Sequence, residues 1–445
     1  MASRRRPRPA PADGRILPCE HGTKRRRAAA AGSSSPWSSM PEELVELVAD
    51  RVLAGDLLDY VRFRAACHHW RSCTADPRGR GLADPRFYPR RWMMLPEGHG
   101  LHPGHGKLRG RVRFFNRHTG AFVAVRLPLF KDHCVLDSPD GLLLLQRDAD
   151  TAVRLLHPFT GDICDLPPLT SLLPQLHQLT PEQPDLGDVD NMQYFQRVTA
   201  AVSVAPATGT IVVLLALENL CRFAHASTMD RSWTLTAWSL TATRTLAING
   251  SLYMLHFPGP DKAGVLCLKP PLLEEDGSSL PSLPRPQKVA QFPEDLMILP
   301  LLVECDSETL VVGSTDISRK HLVVIRLADL LMGRPAVPLT SIGDNCLFFG
   351  MRSMAVSSKG LPSIARNTII LCDSMQGHLM QYDLGDDKWS PACDGDIVWT
   401  PPPSPHSIVH HLVTCCHRYF WNKGLIYCSM TKPAWRGKIK WRYGA

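Results

Sequence analysis

Three stretches of this chain repeat one local design: a short apolar run, a turn closed by Thr-Gly, and a second apolar run. Phe114-Phe115-Asn116-Arg117-His118-Thr119-Gly120 leads into Val123-Ala124-Val125-Arg126-Leu127-Pro128. Val153-Arg154-Leu155-Leu156-His157-Pro158-Phe159-Thr160-Gly161 leads into Ile163-Cys164-Asp165-Leu166-Pro167. Val202-Ser203-Val204-Ala205-Pro206-Ala207-Thr208-Gly209 leads into Ile211-Val212-Val213-Leu214. The Thr-Gly pairs stand 41 and then 48 residues apart. Glycine after threonine supplies the positive φ that a tight hairpin demands. A strand–turn–strand unit recurring at roughly 40 to 50 residues is the signature of a β-propeller blade.

Later segments extend the pattern less regularly. Asp140-Gly141 and Asn249-Gly250 are hairpin turns, the latter between Leu246–Ile248 and Leu252–Leu255. Leu301–Val303 and Thr309–Val312 pair across Asp306-Ser307, and Leu322–Leu327 follows. Thr368–Cys372 and His378–Leu384 flank Gly377 and end in Asp387-Lys388-Trp389. At about 45 residues per blade, the stretch from 100 to 430 accommodates six or seven blades. A sandwich or two smaller β domains is the alternative. Thr170–Gln196 reads as a long surface excursion suited to binding, with Tyr194 and Phe195 as candidate substrate anchors. Pro270–Pro286, with its acidic cluster, is a second candidate loop, read more readily as a solvated insertion.

Ahead of the β region, residues 37–73 carry helical signals. Ser39 is a candidate N-cap, Pro41 fits the first turn, and Glu42 completes a capping box. Leu44, Leu47, Val48 and Val52 form an apolar stripe at helical spacing. After Gly55-Asp56, a second run with Leu57, Leu58, Val61 and Ala65 closes on Cys67 and Trp70. About 40 residues cannot enclose a core of their own, so these helices need a partner.

Met40-Pro41-Glu42-Glu43-Leu44, Arg62-Phe63-Arg64-Ala65-Ala66-Cys67 and Trp70-Arg71 resemble the F-box, with Met40 where leucine is usual. That resemblance implies docking on a Skp-family adaptor, and through it a cullin–RING ubiquitin ligase. The adaptor-binding residues would be Met40, Pro41, Leu44, Leu47, Val48, Val52, Leu57, Val61 and Trp70. The connector that follows, rich in Pro and Arg with Phe87, Tyr88 and Trp92, resembles that of a group of grass F-box proteins. A flexible linker would not carry three aromatics, so it is expected to lie on the next domain as a strap, with a first strand at Trp92–Leu95.

Val153–Gly161 with Leu166-Pro167-Pro168-Leu169 resembles the plant F-box-associated propeller of the KIB type. So does Ser341-Ile342-Gly343-Asp344-Asn345-Cys346-Leu347-Phe348-Phe349-Gly350 with Ser353 and Ala355-Val356-Ser357. His157 stands where the first motif more often has Asn, which is expected to change one turn hydrogen bond. The expected organisation is a disordered basic tail (1–36), an F-box (37–76), a strap (77–96), a KIB-type propeller (97–430) and a basic C-terminal tail (431–445). The fold class is thus a small all-α module followed by an irregular all-β propeller of six or seven blades.

Charge sharpens this. The chain is +8 overall, but residues 1–41 contribute +7 and the last fourteen +5, leaving −4 for the body between. A phosphate-binding groove in the globular part is therefore not expected, nor is nucleic acid as a partner. The first 36 residues hold almost no large apolar side chains and are expected to be disordered. Within them Lys24, Arg25, Arg26 and Arg27 form a candidate nuclear signal, with a low-complexity tail and a transit peptide as alternatives. The expected location is nucleus, cytoplasm or both. No apolar run reaches the roughly 18 residues of a membrane helix, and the N-terminus lacks a signal-peptide core. The 14 cysteines are scattered without a CxxC pair, which favours reduced, buried thiols.

Catalytic patterns are absent. There is no P-loop, no G-x-S-x-G elbow and no HExxH helix. His99, His102 and His105 have ligand-like spacing but no thiol or carboxylate nearby. His410, His411, Cys415, Cys416 and His417, read as a strand, would face alternate sides and are better taken as buried structural residues. No cofactor or metal is expected. Two functions remain: a non-catalytic ligase subunit whose propeller binds a protein substrate, or a propeller enzyme or small-ligand binder whose helical hairpin is only structural.

Overall fold

The computed structural model describes residues 36–95, 111–147, 149–179, 197–240, 243–257, 263–271, 282–292, 298–316, 318–350, 352–361, 363–372, 379–392 and 408–416. The described residues open with a 3-10 turn and three helices, α1 (Glu42–Gly55), α2 (Leu57–Ala66) and α3 (His68–Ser72). Pro41, not Ser39, is the N-cap of α1, and no side chain caps it. Ser39 instead ends a 3-10 turn, Pro36–Ser39, and the Leu44 and Val45 amides bond to the Pro41 carbonyl at 3.1 Å. Proline cannot cap through a side chain, but its fixed φ turns the chain into the helix. The cap of α2 is Asp56, whose Oδ1 accepts from the Leu58 and Asp59 amides at 2.8 and 3.2 Å.

The rest is a six-bladed β-propeller. Blade 1 holds β1 (Trp92–Met94), β2 (Arg111–Asn116) and β3 (Phe122–Arg126). Blade 2 holds β4 (His133–Asp137), β5 (Leu143–Arg147), β6 (Val153–Leu156) and β7 (Ile163–Leu166). Blade 3 holds β8 (Val198–Val204), β9 (Ile211–Leu217), β10 (Arg222–Ser227) and β11 (Thr234–Leu235). Blade 4 holds β12 (Thr243–Ile248), β13 (Ser251–His256), β14 (Gly264–Leu268) and β15 (Gln287–Gln291). Blade 5 holds β16 (Ile298–Cys305), β17 (Glu308–Ser314) and β18 (Leu322–Arg326). Blade 6 holds β19 (Asn345–Phe349), β20 (Met354–Ser357), β21 (Thr368–Cys372), β22 (Leu379–Asp383) and β23 (Lys388–Pro391), in the order β20-β19-β21-β22-β23. Its β19–β21 pair is parallel; the other described pairs are antiparallel.

The ring closes through shared apolar cores, not through one central core. Val153, Leu155, Val213 and Trp233 join blades 2 and 3; Leu214, Phe223, Leu252 and Met254 join blades 3 and 4. Leu255, Val265, Val311 and Ile325 join blades 4 and 5, and Val312, Val324, Leu347 and Ile369 join blades 5 and 6. Phe114, Leu143, Phe348 and Ile370 bring blades 6, 1 and 2 together with a terminal helix, Ile408–Cys416. That segment is helical, not a strand as expected. Val409, Leu412, Val413 and Cys416 fall on one helical face and are buried, as a 3.6-residue period requires. The side chains of His410, His411 and Cys415, like His417, lie outside the described residues, as do His99, His102 and His105.

The turns explain which repeats are equivalent. In blade 1, Asn116 Oδ1 accepts from the amides of His118 and Thr119 at 2.9 and 3.0 Å. In blade 2, His157 Nδ1 accepts from Phe159 and Thr160 at 3.2 and 3.1 Å, and in blade 6 Asp383 Oδ1 accepts from Gly385 and Asp386 at 2.8 and 3.1 Å. These three turns link the last two strands of their blades. Thr208-Gly209 instead links the first two strands of blade 3, so 41 residues is a blade-to-blade distance and 48 is not. Backbone geometry is common to the Thr-Gly turns, with Gly120, Gly161 and Gly209 at φ 71, 82 and 69. A hairpin's sequence thus reports its turn, not its place in the blade.

His157 also corrects an expectation. The imidazole keeps both turn hydrogen bonds, and its Nε2–H adds a third, to the Phe87 carbonyl of the strap at 3.0 Å. Because Nδ1 accepts, the proton sits on Nε2. Burial pushes this imidazole's pKa down, so it is neutral where it stands.

Residues 170–179 are not a loop. A 3-10 turn, Leu169–Leu172, and helix α4 (Leu173–Leu179) bury Leu172 and Leu176 in the core between blades 2 and 3. Gln175 bonds Trp233 O and Leu235 N at 2.7 and 2.8 Å, acting as a strand edge would. Tyr194 and Phe195 lie outside the described residues, as do Lys24, Arg25, Arg26, Arg27 and residues 272–281. Leu283, at the end of the second candidate loop, is buried beside Trp238.

Candidate functional site

Two places in the fold are candidates for a site, and the described residues singled out by sequence fall in the first. The first is the α1–α2 hairpin, which has two apolar faces. Val45, Ala49 and Leu53 are buried, and Ala49 and Leu53 join Leu57 and Tyr60 of α2 against Phe87 of the strap. Leu44 and Leu47 are 51% and 52% exposed, and Val48 of α1 and Val61 of α2 are 39% and 41% exposed. Of the stripe read from helical spacing and assigned to a partner, Leu44, Leu47 and Val48 therefore face outward. Of the other residues assigned to docking, Pro41 is exposed and Met40, Val52 and Trp70 are half-buried. Leu57 is the exception: at 3% exposure it belongs to the joint with the strap and is not available to a partner. Trp70 stacks on Phe63 with centroids 4.5 Å apart and donates its Nε1–H to the Trp37 carbonyl at 2.9 Å. Trp37, 63% exposed, is a further surface aromatic that the spacing of the helix did not indicate.

The hairpin is held rigidly. Asp56 caps α2 with one carboxylate oxygen, and its Oδ2 accepts from Trp92 Nε1 at 2.7 Å and Asn116 Nδ2 at 2.9 Å. One carboxylate therefore ties the helices to β1 and to the first blade's turn. In sequence Asp56 reads only as a turn residue after Gly55; its partners lie 36 and 60 positions away, and nothing local announces them. Phe159 packs against Trp92 and Phe114 at 5.5 and 5.3 Å, and Asp162 accepts from the Gly79 and Gly81 amides at 2.9 and 2.7 Å. Phe87, Tyr88 and Trp92 of the strap are all buried, as three aromatics in a connector imply.

The second place is the propeller axis. Trp92, Asp137, Ala200, Ala247, Leu302 and Met354, one from each blade, surround a cavity of about 80 Å³. Its charges are matched: Arg352 faces Asp137 at 3.3 Å, Arg90 faces Asp140 at 3.4 Å and Arg117 faces Glu304 at 3.7 Å. Asp137 also accepts from the Ala200 amide at 2.7 Å. Burial pushes the Asp140 carboxyl up, against the pull of Arg90. These pairs fasten blades to one another and to the strap.

Above the axis, a cleft of about 710 Å³ separates the hairpin from the turns of blades 1 and 5. His118 lines it and is pushed down to about 4, by burial first and then by Arg91 and Arg117. Among the described residues, no group of three His, Cys, Asp or Glu side chains converges to hold a metal. Burial raises the thiols of Cys164, Cys305 and Cys346 to about 12, so they are unreactive packing groups.

The six blades, their shared turn chemistry and the motif beginning at Phe114 agree with a direct comparison: the KIB1-4 beta-propeller model matches residues 114–390. The chain belongs to the KIB1-4 β-propeller family. No curated protein matches the chain. Among solved structures it is similar to a puromycin-hydrolyzing peptidase of Mycobacterium tuberculosis, at 10% identity and a TM-score of 0.27, over 72% of this chain and 54% of the peptidase. The chain thus spans about half the length of that peptidase. It is also similar to a luciferin-regenerating enzyme, at 8% identity and TM-score 0.24, over 62% of this chain and 78% of the enzyme. Virginiamycin B lyase from Staphylococcus aureus matches at 9% identity and TM-score 0.25, over 63% and 76%. For the KIB1-4 propeller described here, then, the matched model begins at β2 and ends in β23, leaving the hairpin and strap outside it.

Proposed function

We propose that this protein is a non-catalytic substrate-recognition subunit of a Skp–cullin–F-box ubiquitin ligase, its hairpin docking the Skp-family adaptor and its propeller binding a protein substrate. The observation that carries this reading is the second apolar face of the hairpin. One face is already consumed by the strap, yet Leu44, Leu47, Val48 and Val61 remain exposed together on the other. Apolar side chains left exposed on a packed element are what a partner's groove requires. The rigid tie through Asp56 supports it further, because a tethering subunit works by holding its substrate at a high effective concentration near the transferred group.

The test is co-purification with a Skp-family adaptor. Leu44→Ala/Leu47→Ala should abolish capture while leaving the melting temperature unchanged, since both side chains face solvent. Capture equal to wild type sinks the assignment. The location proposed is nuclear and cytoplasmic, with Lys24–Arg27 as the nuclear signal. A fluorescent fusion lacking residues 1–36 should shift towards the cytosol; an unchanged distribution removes that role.

A further inference from the structure

We propose that β3, the outer strand of blade 1, is a docking edge for an extended, acidic segment of a partner protein, which adds to the blade as a further strand.

Hydrogen-bond direction comes first. Asn116 N–H bonds Ala121 O at 2.8 Å, and the register continues through Phe114↔Val123 and Val112↔Val125. Bonded pairs alternate along an antiparallel ladder, so Val123 and Val125 turn their backbone groups towards β2. Phe122, Ala124 and Arg126 therefore turn theirs outward. Arg113, opposite Ala124, confirms the phase, because its carbonyl accepts from Leu95 N on the far side at 2.9 Å.

Outer strands of other blades carry features that discourage pairing. In blade 6, β23 has Lys388 and Pro391; in blade 4, β15 has Lys288; in blade 3, β11 is two residues long; in blade 5, the outer edge of the apolar β18 is already occupied, Val324 O accepting from Leu339 N at 2.7 Å. On β7 of blade 2, Asp165 pairs with Arg154 at 2.8 Å. Only β3 among these reads Phe-Val-Ala-Val, and Phe122 is 46% exposed.

Charge selects the occupant. Arg111 and Arg126 stand directly opposite each other across β2 and β3, both exposed, and Arg113 shares their face of the sheet. Like charges directly opposed are destabilising unless a counter-charge sits between them. Among the described residues no ion pair reaches Arg111 or Arg126. A segment with acidic residues at that end of its strand meets this need. The chain's own C-terminal fourteen residues, at +5, do not, and pairing with a second copy would gather more arginines on one sheet. Main-chain bonds would supply affinity and the arginines selectivity.

The experiment needs no adaptor, so its outcome is separate from the ligase reading. The probe is a fluorescein-labelled peptide of alternating threonine and valine ending in two glutamates, and its twin ending in two lysines. Anisotropy with the full chain should show the glutamate peptide binding at least about tenfold tighter. Ala124→Pro removes only an outward donor, so it should weaken binding by about tenfold or more while the β2 ladder persists. Arg111→Glu/Arg126→Glu should reverse the preference and carries the test if the proline variant fails to fold. Equal binding of the two peptides, or reversal absent in the charge variant, overturns the proposal. So does a sedimentation result in which β3 mediates self-association.

Discussion

The α1–α2 hairpin (Glu42–Ala66) and the helix Ile408–Cys416, α5, differ in how much of their apolar surface the fold covers.

 Both are amphipathic and both pack on the propeller. In α5, Val409, Leu412, Val413 and Cys416 are buried between blades 6, 1 and 2, and the Cys416 carbonyl accepts from Arg352 N at 3.0 Å. In the hairpin, Val45, Ala49 and Leu53 are buried while Leu44, Leu47 and Val48 are not. An apolar stripe at helical spacing therefore says that a face exists, and only the neighbours say whether it is already covered.

Substitution should separate the two helices most sharply. Leu412→Asp places a charge in a dry core and should cost roughly 4 kcal/mol or more in chemical denaturation. Leu44→Asp should change stability by less than about 0.5 kcal/mol. If both destabilise equally, the outward face of the hairpin is not free and the contrast fails.

A smaller effect sharpens how the hairpin is held. Asp56→Ala removes a cap and leaves the Trp92 and Asn116 donors without their acceptor, a loss of about 2–3 kcal/mol. It should also expose the strap to limited proteolysis before the blades are cut. Proteolysis at the wild-type rate would mean that the aromatic contacts alone fix the joint.

Acid tests the other tie between strap and blade. Burial holds the His157 imidazole below its ordinary range, so protonation opposes folding. Its contribution is complete above the unfolded value near 6.5 and is lost as pH falls below it. His118, pushed down to about 4 chiefly by burial, acts in the same direction over the interval between those values. His157→Asn keeps a turn acceptor but loses the bond to Phe87, so it should cost about 1 kcal/mol at pH 7.5. Its stability should then fall less steeply than wild type between pH 6.5 and 5, measured by denaturant midpoints at each pH. An unchanged slope would assign the acid sensitivity to other groups.

The smallest expected effect concerns the blade 6 turn. Asp383→Asn retains the oxygen that accepts from Gly385 and Asp386, so stability should move by less than about 0.5 kcal/mol, whereas Asp383→Ala should lose about 1. A large loss in the asparagine variant would show that the charge, not the acceptor, organises this turn.

Much of the fold was legible because turn chemistry is local. Asn116, His157 and the glycines that follow them each act within five residues, so their hairpins could be read directly. Burial of Phe87, Tyr88 and Trp92 was legible for a different reason: three aromatics cannot remain wet in a connector. The blade 6 turn was harder to see, since Asp383 replaces the amide and Asp387, at φ 55, replaces the glycine. Residues 170–179 misled because Pro174 and its polar neighbours suggest a loop, while Leu172, Gln175 and Leu176 find partners on blade 3.

By itself the sequence determined the elements: a helical hairpin, an aromatic strap and a run of short strands joined by tight turns. Those follow from periodicity, φ preferences and side-chain-to-backbone bonds that span a few residues. Tertiary structure decided everything that depends on who stands next to whom. It set the blade count at six, placed Thr208-Gly209 on an inner hairpin, and put Leu57 in a joint while leaving Leu44 in solvent. It also recruited Asp56 to hold residues 36 and 60 positions away. The physical reason is that burial is a property of a neighbourhood: each apolar face lowers its free energy against whichever surface the ring brings to it.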